Sequence, residues 1–224
     1  MLIFIHGGNW RSGDKKIYGF FGSGFAKKGI VTVIMGYPHE PPCTYKDMAT
    51  STAMAVAWVK NNILKYGGNP DQIFISGHSA GGHLAALVTL RNEYFDTLKM
   101  ANPLKGAILI DAAGLDMHDY LKNENLAKDH HYFRVFTTKP KVWKDATPIY
   151  HLYKGMPKIL IYQGGKTYPS IKVSNEKFVK ALKNYDPNPN FHIQKNKKHI
   201  PMIFQFYNLR NPIYKEIIDF MEKK

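Results

Sequence analysis

Cysteine is all but missing from this chain. Cys43 stands alone, so no internal disulfide can staple the fold and nothing points to an oxidising compartment. Long apolar runs are missing too. The longest, residues 1–5 and 30–35, fall far short of the ~20 residues that cross a bilayer. The first is broken at once by His6, Gly7 and Gly8, unlike the apolar centre of a secretory signal. Repeats, low-complexity tracts and linker-like stretches are also lacking, so residues 1–224 are read as one domain with ample chain for a core. Acidic residues are scarce: 17 Asp and Glu face 31 Lys and Arg, a formal net charge of +14. The lysines come as scattered pairs (Lys15-Lys16, Lys27-Lys28, Lys197-Lys198, Lys223-Lys224) and not as a basic stripe with interleaved aromatics. That pattern reads as a solvated surface, and neither a nucleic-acid partner nor integral membrane association is expected. Oligomeric state and compartment are left open.

What is present is an alternation. Short apolar runs at 2–5, 31–35, 72–76, 107–110, 158–162 and 191–194 have the length and composition of strands. Between and after them, helical patterns run over 14–27, 45–65, 81–91, 171–184 and 210–221. Fully apolar short strands separated by helices predict an α/β fold: a mostly parallel, doubly wound sheet with helices on both faces. Residues 115–153 fit the alternation least and read as a small lid-like insertion of short helices and loops. In an open sheet of this kind such an insertion lies over the carboxyl ends of the strands, where ligands bind.

Two glycine-rich turns carry the chemistry. Gly77-His78-Ser79-Ala80-Gly81 follows a strand and precedes an apolar helix. A serine on so sharp a turn has a strained backbone that exposes its hydroxyl, and the residues two before and two after must lack side chains. Earlier, His6-Gly7-Gly8-Asn9-Trp10 closes the first strand. The backbone N–H groups of Gly7 and Gly8, joined by that of Ala80, are suited to hold a negative oxygen. Trp10 and His78 are candidate substrate contacts. Of ten histidines, His199 follows the last strand and precedes the terminal helix, with Pro201 beside it; in the chain order serine, acid, histidine this is the place of the base. Asp116, His118, His130 and His131 have no recognised ligand spacing, and no metal site is expected.

These stretches resemble the esterase/lipase branch of the α/β-hydrolase superfamily, in its esterase-like and arylformamidase-like members with an HGG oxyanion motif. The resemblance extends to Tyr66-Gly67-Gly68-Asn69-Pro70-Asp71, Gly82-His83-Leu84 and Thr147-Pro148. It implies a Ser–acid–His triad and, without a cofactor, hydrolysis of a small-molecule carboxylic ester through an acyl-enzyme (EC 3.1.1 type). The alternatives are an arylformamidase-like amide hydrolase or a catalytically impaired binding protein of the same fold. Two departures stand out. The family's usual opening strands do not precede His6, which leaves either a longer natural chain or a reduced sheet with the first strand as an exposed edge. And Thr167 occupies the position where such proteins carry the acid. Asp111, at the end of the neighbouring strand, is the best substitute and Asp116 the second; Glu176 falls inside a helix.

Overall fold

The computed structural model describes residues 1–223. Six strands, β1 (Leu2–Ile5), β2 (Thr32–Met35), β3 (Ile73–His78), β4 (Leu104–Ile110), β5 (Lys158–Gly164) and β6 (Asn190–Gln194), form one sheet in the order β2-β1-β3-β4-β5-β6. Every neighbouring pair is parallel. Each strand therefore ends on the same side of the sheet, and the loops that leave those ends are brought together there.

The four inner strands β1, β3, β4 and β5 are apolar on both faces because both faces are covered, whereas the edge strand β6 is largely exposed. Leu2, Phe4, Phe74, Ile108, Ile110 and Leu160 pack with Phe21 and Phe25 of α1 (Gly19–Ala26) and with Ile217 and Phe220 of α10 (Ile213–Glu222). The alternate residues Ile3, Ile5, Ile75, Ala107, Leu109 and Ile161 pack into a second core with α2 (Tyr45–Asn62), α3 (Ala80–Leu90) and α8 (Pro169–Leu182). The period of two along each strand thus divides the sheet between two helical layers. The helices match: α10 buries Ile213, Tyr214, Ile217, Phe220 and Met221, one stripe of a 3.6-residue period, and α3 is buried on all sides. At the start of α2 the Thr44 N–H donates to Asp47 Oδ2 (2.8 Å) within a capping box, so a polar pair marks where the helix begins.

The first strand is not an edge. β1 lies between β2 and β3, with Leu2 opposite both Thr32 and Phe74. The chain returns through α1 to the far side of β1, so the edges are β2 and β6. Among the described residues no helix is long and apolar enough to cross a membrane.

Residues 115–153 contain α5 (Met117–Asn123), α6 (His131–Phe136), α7 (Pro140–Trp143) and a 3-10 turn at Pro148–His151. They are tied down by polar contacts from below: the His83 Nε2–H donates to Ala146 O (2.7 Å), and Arg91 pairs with Asp145 (2.7 Å).

The turn between β3 and α3 admits no side chain at its glycines. A Cβ on Gly77 would sit 2.2 Å from the Gly81 carbonyl, and one on Gly81 would sit 2.3 Å from the Ile5 carbonyl oxygen. Both obstacles are backbone, which cannot rotate away. Gly81→Ala is therefore expected to cost roughly 1–3 kcal/mol, seen as a melting temperature lower by about 2–4 °C per kcal/mol in a domain of this size. An unchanged melting temperature would show that the two turns can part.

Candidate active site

Ser79 sits at the tip of that turn with φ 55° and ψ −121°, a left-handed conformation that β-bearing residues avoid. The strain is held by two bonds: the Ser79 N–H donates to Ile110 O (3.2 Å), and the Ser79 carbonyl accepts from the Ala113 N–H (3.1 Å). The end of β3 is thereby locked to the end of β4, and the Ser79 hydroxyl faces the loops above the sheet.

Those loops supply its partners. Ser79 Oγ–H donates to His199 Nε2 (2.9 Å), and His199 Nδ1–H donates to Asp111 Oδ2 (2.6 Å). The His199 ring therefore has one tautomer set by its neighbours, with the proton on Nδ1. Asp111 is fully buried at the end of β4, with φ 47°, and its N–H donates to Tyr162 O (2.7 Å) on β5. Its carboxylate is fully engaged. Oδ1 accepts from the Gly164 N–H (2.8 Å), and Oδ2 accepts the Thr167 hydroxyl as well as His199. Buried polar oxygens need such donors in place of water. Thr167 faces Asp111, and its hydroxyl helps to hold that carboxylate. Asp116 stands apart, its side chain accepting from Asp119 N–H at the start of α5 (3.4 Å).

His78 lies under His199. Their rings stack with centroids 4.5 Å apart, and the His78 Nε2–H donates to the His199 carbonyl (3.1 Å). Burial, and to a lesser degree the neighbouring His199, push the His78 pKa down to about 3. His78 is thus a neutral bracket beneath the His199 loop, and it also lines the cavity above Ser79. That bracket left no signal in the sequence, because the two residues lie 121 positions apart.

Gly7 and Gly8 line the same cavity as Ser79. Gly7 is closely confined, since a Cβ there would meet Ser79 Cβ at 3.2 Å and His78 Nδ1 at 3.0 Å. Gly8 has φ 134°, and its carbonyl is turned away to accept from the Arg11 and Ser12 N–H groups (3.2 and 3.0 Å). Ala80, fully buried, opens α3 directly after Ser79. Trp10 is also fully buried: its indole N–H donates to His83 Nδ1 (3.3 Å), and its ring packs edge-on against Tyr132 and Phe136. Trp10 thus supports the cavity from behind its wall. The cavity measures about 640 Å³ and is bordered by Tyr132 of α6, Tyr168, Ile200 and Phe204.

The other histidines have local tasks. His6 Nδ1–H donates to Gly7 O (2.7 Å), and His130 Nδ1 accepts from the Tyr132 N–H (3.2 Å) at the start of α6. His131 Nε2 accepts from Asn9 Nδ2 (2.9 Å), while Asn9 Oδ1 accepts from the Tyr132 hydroxyl (3.1 Å), which joins the insertion to the turn after β1.

Two of the buried histidines give the fold a pH dependence. Burial lowers His78 from an ordinary 6.5 to about 3 and His83 to about 4. Unfolding frees both to bind a proton below pH ~6.5, whereas the folded state resists until far lower pH. Their contribution is complete above the unfolded value and is lost as pH falls toward the folded ones. Each is expected to remove up to about 1.4 kcal/mol per pH unit in that window. Urea unfolding at pH 7.5 and pH 5 measures the slope, and His83→Gln should remove part of it. A flat profile would contradict neutral burial.

With this geometry in view, the relationships of the chain fall into place. Residues 1–181 match the BD-FAE family. The chain belongs to the BD-FAE family. Esterase LipQ of Mycobacterium tuberculosis is 28% identical over 192 residues, 82% of this chain and 46% of LipQ. The isoprenylcysteine alpha-carbonyl methylesterase ICME of Arabidopsis thaliana is 34% identical over 90 residues, 40% of this chain and 21% of that protein. This BD-FAE chain spans less than half the length of the curated relatives it matches. Among solved structures, a truncated carbohydrate esterase from gut microbiota superposes with a TM-score of 0.83 at 18% identity, covering 98% of this chain and 84% of its own. Esterase 2 of Thermogutta terrifontis gives 0.73 at 23% identity, covering 100% and 85%. The BD-FAE chain has the α/β-hydrolase fold, with its parallel sheet covered by helices on both sides.

Proposed function

We propose that this protein is a serine-dependent carboxylic ester hydrolase that works through an acyl-enzyme on small-molecule esters. The observation that carries the reading is the unbroken chain Ser79–His199–Asp111, with links of 2.9 and 2.6 Å. Ser79 Oγ attacks the ester carbonyl carbon and passes its proton to His199 Nε2. Asp111 stabilises the imidazolium through Nδ1 and keeps the ring in its productive tautomer. The oxygen that becomes negative takes hydrogen bonds from the N–H groups of Gly7, Gly8 and Ala80, at the positive end of α3. Collapse breaks the bond to the alcohol, which leaves with the proton from His199. Water, deprotonated by the same ring, then attacks the acyl carbon and releases the acid and a free Ser79 hydroxyl.

The esterase names among the relatives support this reading. The reading as an impaired binding protein rested on the missing carboxylate at Thr167 and on the missing opening strands; a fully hydrogen-bonded Asp111 within reach of His199 speaks against the first ground, and the pairing of β1 on both sides against the second. A fluorophosphonate probe tests the proposal: it is expected to label the protein once, on the tryptic peptide that contains Ser79, and to block hydrolysis of 4-nitrophenyl acetate in proportion. Labelling elsewhere, or none at all, would overturn it.

A further inference from the structure

The turn that carries Gly7 and Gly8 does more than bring backbone to Ser79. Its next residues alternate sharply in destination. Asn9 and Arg11 line the cavity, while Trp10 between them is fully buried. Asn9 and Trp10 both have positive φ, 56° and 62°, so the backbone is held in an unfavoured conformation to keep this alternation. Trp10 anchors it below through His83, and the Trp10 carbonyl accepts the Glu40 N–H (3.0 Å). The Arg11 N–H is fixed to Gly8 O. The segment under Arg11 is thus tied on both sides.

The Arg11 side chain itself is exposed. Among the described residues no carboxylate forms an ion pair with Arg11. The two acids close by in the chain are otherwise occupied: Glu40 pairs with Arg134, and Asp14 accepts the Lys16 N–H (2.9 Å). No Asp or Glu lines the cavity, where Arg11 is the one residue of fixed charge. A lone cation in an otherwise uncharged cleft concentrates anions there. Ile200, Ile203 and Phe204, which line the same cavity, are apolar. The cavity that holds Ser79 therefore combines one cationic residue with an apolar surface.

We infer that the preferred substrate is an anionic ester, one that bears a carboxylate recognised by Arg11 while its apolar part lies against Ile200 and Phe204. A planar guanidinium grips a carboxylate with two parallel N–H bonds, which a lysine cannot reproduce. The inference rests on the ester hydrolase reading and narrows it to a substrate class.

The test compares matched ester pairs in the wild type, Arg11→Lys, Arg11→Gln and Arg11→Glu. One pair places the charge on the acyl half, 4-nitrophenyl hemiglutarate against 4-nitrophenyl pentanoate. The other places it on the alcohol half, 4-acetoxybenzoate against its methyl ester. The readout is the ratio of kcat/KM, anionic over neutral, so differences in intrinsic reactivity cancel between variants. Arg11 is exposed, and an unchanged melting temperature identifies variants that have kept the fold. For the pair that matches the natural arrangement, Arg11→Gln should lower the ratio about tenfold, Arg11→Lys should lower it less, and Arg11→Glu should lower it further. The wild-type ratio should also fall as salt is raised. Equal ratios for both pairs across all four proteins would overturn the inference while leaving the hydrolase intact. Glutarate binding by titration calorimetry separates the other case. Saturable binding that Arg11→Glu abolishes, with no ester turned over by any variant, would keep the anion subsite and remove the hydrolase reading.

Discussion

Ser79→Ala is expected to lower turnover of 4-nitrophenyl acetate by about 10⁵–10⁶-fold, the cost of removing the nucleophile from a triad in which the members act as a unit. The alanine keeps the Cβ, so the left-handed backbone at this position is no more strained than before. The N–H and carbonyl bonds that tie the turn to Ile110 and Ala113 do not involve the hydroxyl. Folding should therefore survive, and near-wild-type thermal melting would show it. A residual rate above that in water is still expected, because the N–H groups of Gly7, Gly8 and Ala80 remain. Turnover within tenfold of wild type would remove Ser79 from the role of nucleophile.

Asp111→Asn is expected to cost on the order of 10⁴-fold in kcat. An amide keeps the volume, but it presents an N–H where His199 Nδ1–H now donates, or it accepts without stabilising the imidazolium. Thr167 sharpens the prediction. Its hydroxyl touches the same carboxylate oxygen as His199. In the wild type, Thr167→Asp would press a second carboxylate against the first and should lower activity, since two buried like charges disfavour each other. In the Asp111→Asn background the same change restores a negative charge beside His199 and should recover part of the loss. The sign of Thr167→Asp thus reverses between the two backgrounds, a coupling that independent sites do not show. Activity raised by Thr167→Asp alone would mean that Asp111 is not the working acid.

The elements of this chain were largely legible in its sequence because their causes are local. A strand buried on both faces must be apolar throughout, which marks the four inner strands, and the two other runs found by length and composition are the edge strands of the same sheet. A hydroxyl on a sharp strand-to-helix turn requires glycine on either side, so Gly77 and Gly81 announce Ser79 from five consecutive residues. The HGG turn after β1 is equally local. Where helices begin and end shifted by a few residues, as at 14–27, where a 3-10 turn at Lys15–Tyr18 precedes α1.

Tertiary structure decided what depends on which strands are neighbours. Composition could not say that β1 is flanked on both sides, because that follows from the path of α1 back across the sheet. Nor could it choose between Asp111 and Asp116 as the partner of His199. They are five residues apart in the chain, yet β4 beside β5 places the first against Gly164, Thr167 and His199, while the second turns away to cap a helix. The same holds for His78 beneath His199 and for Arg11 on the cavity wall. A backbone preference is written in a few adjacent residues, whereas the meeting of two side chains 88 positions apart is written only in the order and register of the strands between them.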